Sequence, residues 1–405
     1  MLLIKRKSSI GFIVHALVII SLMHEASCLG KTRQCSKHKN NFMTTCSIEN
    51  CQCPGTDGSV CVGPVLPASY SSFPIHVNDY GDIVESFVPS SQGPVIEKVM
   101  LYSKQCSGSK KRIARTALLT RYKNAEATIL ICHGFMCDKF DAGVLRSVFP
   151  RGKFNFMTFD FRAHGDCPEG QSCTLGRDEK YDVVAAARFL REHVALAKKP
   201  LFVYGFSMGA VAAIEAQAKD GSLFDAMILD CPFESTENVL KRSLDNIKFS
   251  LFGYEFSLPG RSLLQRYAFH PYIQSMVKIV LKTVAQWDPK KIDVTAYPIH
   301  PVDSVKKISV PVFYILCKHD EKVSIDAIKS LYQSTASCYK QLWISNGRRH
   351  FDSYFYNPEI YTDRVRQFVL NNLNGKTLHT KKNEIIQDGD EYTTALRTKK
   401  DEKVL

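Results

Sequence analysis

The chain has 405 residues, of which 45% are hydrophobic and 23% charged, and its formal net charge is +13. Its basic residues form no run with interleaved aromatics, so the charge does not indicate nucleic-acid binding; attraction to a membrane or another anionic cell surface remains an open alternative. The sequence contains no internal repeat, Walker loop or dinucleotide fingerprint, and we expect no cofactor.

The N-terminus has the pattern of an export signal. Lys5-Arg6-Lys7 precedes the apolar stretch 10–23, which is shorter than the about 20 apolar residues typical of a membrane span. We therefore predict a signal segment over residues 1–28 and an exported protein, either secreted or anchored to a membrane through its N-terminus. Cleavage after small residues and lipidation of Cys28, as in a lipoprotein, are the two main alternatives, and an uncleaved anchor is the third.

The next segment is rich in cysteine. Five of the 14 cysteines lie between residues 35 and 61, among polar residues with almost no aliphatic side chains. Such a segment buries too little apolar area to fold without cross-links. We predict that residues 29–69 form a small module closed by disulfides, with zinc binding as the alternative. Cys167 and Cys173 share a later loop and are a further candidate pair.

Two short, mainly apolar runs predict the first buried strands. Residues 127–132 form one run, and His133-Gly134-Phe135 follows it directly. Residues 154–159 form the other, followed by the segment 160–165 with the letters DFRAHG.

The most informative motif is Gly205-Phe206-Ser207-Met208-Gly209. The apolar run 200–204 before it predicts a strand, and the alanine-rich segment 210–218 after it predicts a helix. Ser207 is therefore expected on a tight strand-to-helix turn, where small neighbours permit the close approach of the two elements. This is how serine hydrolases present a nucleophile, and we predict that role for Ser207. A glycine-rich turn with a capping serine is the alternative.

A serine nucleophile requires a base and an acid that orients the base. The strand predicted at 310–317 is followed by Asp320, and the strand predicted at 340–344 is followed by His350. One helix, predicted at 324–334, fits between them. This spacing returns both side chains to one edge of a parallel sheet, so we predict Asp320 as the acid and His350 as the base.

Other residues compete for these two roles. Asp230 follows the strand predicted at 226–229 and is the alternative acid. His319 neighbours Asp320 but points to the opposite side of an alternating strand, so we expect it to be a bystander. His133 and His164 precede the serine, and we expect both to be structural. The backbone N–H groups of Phe135 and Met208 are the predicted oxyanion donors.

Four blocks together resemble the α/β-hydrolase superfamily of the serine-hydrolase type, in family order over about residues 95–373: 131–135, 160–165, 205–209 and 311–350. Segments 230–235 and 354–359 are similar to a bacterial branch described as serine-aminopeptidase-like or monoacylglycerol-lipase-like. The resemblance implies an α/β-hydrolase fold, with a mostly parallel central sheet flanked by helices and a helical cap insertion. One departure is Arg349 before His350, where the family usually has glycine; this cation is expected to narrow or charge the site.

The predicted organisation is therefore a hydrolase domain over residues 70–374, with the cap at about 233–300, and a disordered charged tail over 375–405. The cap segment is unusually aromatic. A cap needs an apolar underside to pack over the active site and to exclude water from it.

The predicted function is a serine hydrolase that cleaves an ester, or alternatively a thioester or amide, through an acyl-enzyme on Ser207. Its substrate is expected to be a small molecule with an apolar moiety, and no metal or nucleic acid is expected to take part. The alternative is a catalytically silent α/β-hydrolase fold used for surface binding. The sequence gives no indication of oligomeric state.

Overall fold

A computed structural model describes residues 93–168, 170–245, 248–251, 254–257, 266–272, 274–275, 293–373 and 383–388. The signal segment predicted at 1–28 and the cysteine-rich module predicted at 29–69 lie outside the described residues, as does most of the tail.

The centre of the fold is a nine-stranded sheet with the spatial order β1-β2-β4-β3-β6-β7-β11-β12-β13. Only β1 with β2 and β2 with β4 pair antiparallel, and the other neighbours in this sheet are parallel. The predicted mostly parallel sheet is therefore confirmed. In chain order the strands are β1 (Val95–Lys104), β2 (Arg112–Arg121), β3 (Ala127–Cys132), β4 (Phe154–Phe159), β5 (Ser172–Cys173), β6 (Leu201–Phe206), β7 (Ala226–Asp230), β8 (Lys248–Leu251), β9 (Tyr254–Ser257), β10 (Asp293–Val294), β11 (Val312–Cys317), β12 (Lys340–Ser345) and β13 (Asn383–Gln387).

Helices cover both faces of the sheet, which explains why the central strands are apolar along their whole length. Alternate residues of β3 enter opposite cores: Leu130 belongs to the core that includes side chains of α2, α3 and α6, whereas Ile129 belongs to the core that includes side chains of α1 and α8. The helices are α1 (Lys139–Gly143), α2 (Glu179–Glu192), α3 (Met208–Lys219), α4 (Thr236–Asp245), α5 (Pro301–Ser304), α6 (Ile325–Ser334), α7 (Ser353–Tyr356) and α8 (Pro358–Asn372), with 3₁₀ turns at Val144–Val148 and Val305–Lys307.

The described part of the cap segment contains β structure as well as the helix predicted for it. Helix α4 opens it, and β8 and β9 then form an antiparallel hairpin. The letters KFSL and YEFS alternate polar and apolar residues with the period of a strand, which is the physical reason for the hairpin. Near its end, β10 pairs with β5 and ties the segment back to the body of the domain.

Strand β13 lies inside the segment predicted to be a disordered tail, so that prediction is wrong for residues 383–387. The strand pairs in parallel with β12. Asp388 then accepts hydrogen bonds from the Trp343 indole at 2.9 Å and the Asn346 backbone N–H at 2.8 Å. Backbone pairing to the open edge of β12 requires little apolar periodicity, which is why the composition of the tail did not indicate it.

Cys167 and Cys173 remain free thiols, so the suggested disulfide between them is not formed. Cys173 is buried with its Sγ 3.4 Å from Met208 Sδ, whereas Cys167 is only half-buried. Among the described helices, none is both long and apolar enough to cross a membrane.

Candidate active site

The motif around Ser207 forms a sharp turn between β6 and α3. Ser207 has a φ of 52° and a ψ of −122°, and the helix begins at the next residue. A Cβ on Gly205 would lie 2.7 Å from the Ala210 nitrogen, and one on Gly209 would lie 2.3 Å from the Cys132 carbonyl oxygen. Both positions therefore exclude any side chain, and the turn can place its serine only because they are glycine.

The structure brings Ser207, His350 and Asp320 into one hydrogen-bonded chain. His350 Nε2 lies 2.8 Å from Ser207 Oγ, and His350 Nδ1 lies 2.7 Å from Asp320 Oδ2. The Asp320 side chain is fully buried, whereas 17% of the His350 side chain is exposed. The three residues predicted for the site thus meet at the carboxyl edge of the sheet.

Asp320 is held as a carboxylate. Burial alone would raise its pKa, but the facing His350 imidazole and two backbone N–H groups hold the pKa below its ordinary value. Those N–H groups, from Lys322 and Val323, lie 2.8 and 2.9 Å from Oδ1. An ionised Asp320 accepts a hydrogen bond from Nδ1–H, which leaves the lone pair of Nε2 directed at the serine hydroxyl.

The alternative acid, Asp230, lies elsewhere in the network. Its carboxylate accepts hydrogen bonds from the Tyr361 hydroxyl at 2.7 Å and the Cys231 thiol at 3.1 Å. Burial raises the pKa of Asp230 to about 6, despite these donors. The backbone oxygen of Asp230 accepts from the Ser207 N–H at 2.8 Å. Asp230 therefore supports the turn through its main chain, while His350 is engaged by Asp320.

The two predicted oxyanion donors lie on segments that touch. Met208 is the first residue of α3, so its N–H has no acceptor within the helix. Phe135 lies on the loop after β3, and that loop is so close to α3 that a Cβ on Gly209 would be 2.4 Å from the His133 carbonyl oxygen. The donor role of Phe135 and Met208 itself stays a prediction.

His133 and His164 brace this loop, as expected of structural residues. His133 contacts the Gly134 carbonyl oxygen through Nδ1 and accepts the Phe161 N–H at Nε2, over 2.7 and 3.0 Å. His164 accepts the Met136 N–H at Nε2, over 3.2 Å. Burial lowers the pKa of His133 to about 3 and also lowers the pKa of His164. Both rings are therefore neutral at physiological pH, as acceptance of a backbone N–H requires.

We expect the burial of neutral His133 to make the protein less stable in acid. Its folded pKa lies below the unfolded value of 6.5, so the unfolded chain binds the extra proton and stability falls as the pH drops from 6.5 toward 3. The slope is about 1.4 kcal/mol per pH unit for each such group. The stability difference between the wild type and His133→Gln should therefore shrink between about pH 7 and about pH 5 in urea unfolding. A stability difference between wild type and His133→Gln that stays constant or grows toward pH 5 would contradict this expectation. His319→Gln is the control for loss of an exposed imidazole.

The 160–165 segment is also held in place by ion pairs, and the sequence did not indicate the residues with which it pairs. Asp160 pairs with the buried Lys139 at 2.7 Å, and Arg162 pairs with the buried Asp182 at 2.9 Å. A Cβ on Gly165 would lie 2.0 Å from Asp160 Cγ, so glycine is required there. Neither Lys139 nor Asp182 belongs to a sequence motif, and only the fold reveals these pairs.

Arg349 and His319 are the chain neighbours of His350 and Asp320, and neither side chain joins the hydrogen-bonded chain. Each is exposed, so the bulk of the Arg349 side chain does not separate the three residues of the site. A residue that the sequence analysis missed, Phe351, has a φ of 61° and stacks on Phe206 with ring centroids 4.4 Å apart. Phe206 directly precedes Ser207, so this pair supports the turn from one side.

Known proteins share this arrangement of elements. The sequence profile of the alpha/beta hydrolase family matches residues 129–361, more than half of the chain. The uncharacterized protein YqkD of Bacillus subtilis (strain 168) is 28% identical over 256 residues, which cover 62% of this chain and 73% of that protein.

Among solved structures, the Pyrococcus furiosus esterase Pf2001 has a similar fold in two crystal forms. In space group P21 it gives a TM-score of 0.50 at 18% identity, over 74% of this chain and 99% of the esterase. In space group P212121 it gives a TM-score of 0.50 at 19% identity, over 72% of this chain and 96% of the esterase. Likeness at this level of identity shows a shared fold.

Proposed function

This chain belongs to the alpha/beta hydrolase family, and on that premise we propose that it is a serine hydrolase that cleaves carboxylic esters through an acyl-enzyme on Ser207. The observation that carries the proposal is the continuous hydrogen-bonded chain from Ser207 Oγ through His350 to Asp320, with contacts of 2.8 and 2.7 Å. Such a chain removes the proton from a hydroxyl that is otherwise a weak nucleophile.

In the acylation step, Ser207 Oγ attacks the carbonyl carbon of the ester and its proton passes to His350 Nε2. The imidazolium that forms donates through Nδ1–H to Asp320, whose negative charge stabilises it. The buried position of Asp320 matters here because the carboxylate has little competing solvent. Acceptance of two backbone N–H bonds also fixes its orientation toward the ring.

The negative oxygen of the tetrahedral intermediate is then held by the backbone N–H groups of Phe135 and Met208. Collapse of the intermediate breaks the ester C–O bond, and His350 Nε2–H gives its proton to the leaving alcohol. A water molecule activated by the same nitrogen attacks the acyl-enzyme and releases the acid, which restores the Ser207 hydroxyl.

The substrate class we propose is a small-molecule ester with an apolar moiety. Aromatic rings extend toward solvent from Phe206, the residue before the serine, since Phe206 stacks on Phe351 and Phe351 contacts Phe355 with ring centroids 6.3 Å apart. Phe355 is 63% exposed. An apolar acyl or alcohol group can pack along such rings with a favourable loss of hydrated surface.

The competing proposal is a catalytically silent binding protein. In such a protein the hydrogen bonds at Ser207 would have no role. A surface-binding role would not require an ionised Asp320 hydrogen-bonded to the His350 imidazole, nor glycine at both positions that flank Ser207. We therefore favour catalysis.

The test is hydrolysis of matched p-nitrophenyl esters, from acetate to laurate, beside thioesters and anilides of the same acids. We expect turnover of the esters well above the buffer rate and the weakest turnover for the anilides, because an amine is the poorer leaving group. A folded protein, judged by circular dichroism, that hydrolyses none of these compounds would contradict the proposal and favour the binding role.

A further inference from the structure

A thiol lies directly beside the acid and base of the proposed site. Cys231 follows β7 and is fully buried. Its Sγ, a carboxylate oxygen of Asp320 and a ring nitrogen of His350 all lie within 4.8 Å of one another. Within the part of the chain that the structure describes, this is the one cluster of such groups with spacing suited to a metal ion.

The backbone holds the thiol in this position. Cys231 has a φ of 50°, which places it in the left-handed region, and its N–H donates to the Ile315 carbonyl oxygen on β11 at 2.9 Å. Its Sγ lies 3.1 Å from Asp230 Oδ1. The cluster therefore combines one thiol and one imidazole with the Asp320 carboxylate, and a second carboxylate borders the thiol.

We propose that Cys231, Asp320 and His350 bind a thiophilic divalent cation, for which Zn²⁺ is the reference, and that the bound ion reversibly inhibits the hydrolase. This inference rests on the proposed function for its inhibitory effect but not for binding itself. Thiolate sulfur, imidazole nitrogen and carboxylate oxygen are the ligands of tetrahedral zinc sites. Mg²⁺ and Ca²⁺ prefer oxygen ligands alone and are not expected to bind.

Binding would disable the base by a defined exchange of bonds. The S–H bond of Cys231 breaks, a sulfur–metal bond forms, and the proton leaves to solvent. The ion takes the Nδ1 position that faces Asp320, so the ring carries its proton on Nε2 instead. Nε2–H cannot accept the proton of Ser207, and attack on an ester stops. Removal of the ion by a chelator restores the original tautomer and the activity.

The first test measures ester hydrolysis over a buffered series of free Zn²⁺ concentrations. For Cys231→Ser we expect the half-inhibitory concentration to rise about tenfold or more, since loss of one supporting contact already costs about 10–100-fold in metal affinity. Cys173→Ser is the matched control, because Cys173 is also buried beside the turn but lies outside the cluster. Equal sensitivity of the wild type and Cys231→Ser, or an active wild type that zinc does not inhibit, would overturn the proposal.

The second test does not depend on activity. Co²⁺ bound through a thiolate absorbs in the near ultraviolet, and we expect the difference spectrum between wild type and Cys231→Gly to contain this band. Glycine suits the positive φ at this position, so this variant removes the thiol with little backbone strain. The difference also cancels any contribution from other cysteines. A difference spectrum without the band overturns the metal site even if the protein hydrolyses no ester, which keeps the two proposals separable.

Discussion

Ser207→Ala is expected to reduce the turnover of p-nitrophenyl esters by about 10⁴–10⁶-fold, because loss of the nucleophile removes the whole acyl-enzyme route. The folded state should change little, since the substitution deletes one partly buried hydroxyl and its 2.8 Å contact with His350. Steady-state rates and the thermal midpoint of the same preparations provide the measurement.

The matched control is Ser324→Ala, which separates stability from chemistry. Ser324 Oγ accepts the Ala327 N–H at 3.1 Å and caps α6. Its loss should cost about 1 kcal/mol of stability while turnover is retained. If Ser207→Ala keeps more than about a tenth of the wild-type turnover, against the loss expected for a triad serine, the chemistry belongs to another residue.

Asp320→Asn is expected to lower turnover by about 10⁴-fold with the protein still folded, because the imidazole loses the negative partner that sets its tautomer. Asp230→Asn is the control, since its single amide oxygen can still accept from the Tyr361 hydroxyl, while His350 keeps its 2.7 Å contact with Asp320. We expect this second substitution to cost less than about tenfold. A larger loss of turnover for Asp230→Asn than for Asp320→Asn would show that Asp230, and not Asp320, is the acid.

The site residues were predictable from sequence because each follows a buried strand. A buried strand is recognisable in the sequence as a short apolar run. The run 127–132, for example, is β3 within the bounds expected from its apolar letters, and β11 begins two residues later than predicted. Parallel strands bring their carboxyl ends to one edge. The order of Ser207, Asp320 and His350 along the chain therefore implied their meeting in space.

The outer strands carry no such signature. β1 contains three charged residues, and only its Leu101 and Ser103 are buried, each between exposed neighbours; β2 buries the cation of Arg115. Edge strands obtain their order from backbone pairing, so their composition can be polar, and the sequence analysis identified neither β1 nor β13.

Contacts between distant segments were equally hidden. The Lys139–Asp160 pair, the Phe206–Phe351 stack and the position of Cys231 beside Asp320 and His350 each join residues from different elements. Nothing in local periodicity encodes them, because they arise only when the strand order of the sheet is known.

The most direct measurement of the central claim is covalent labelling by a fluorophosphonate probe, followed by peptide mapping in the mass spectrometer. The probe reacts with a serine that a neighbouring base has activated. Under the proposed mechanism we expect one adduct per chain, located on Ser207, and its loss in Ser207→Ala. Absence of any adduct on the folded wild type, or an adduct on a different serine, would contradict it.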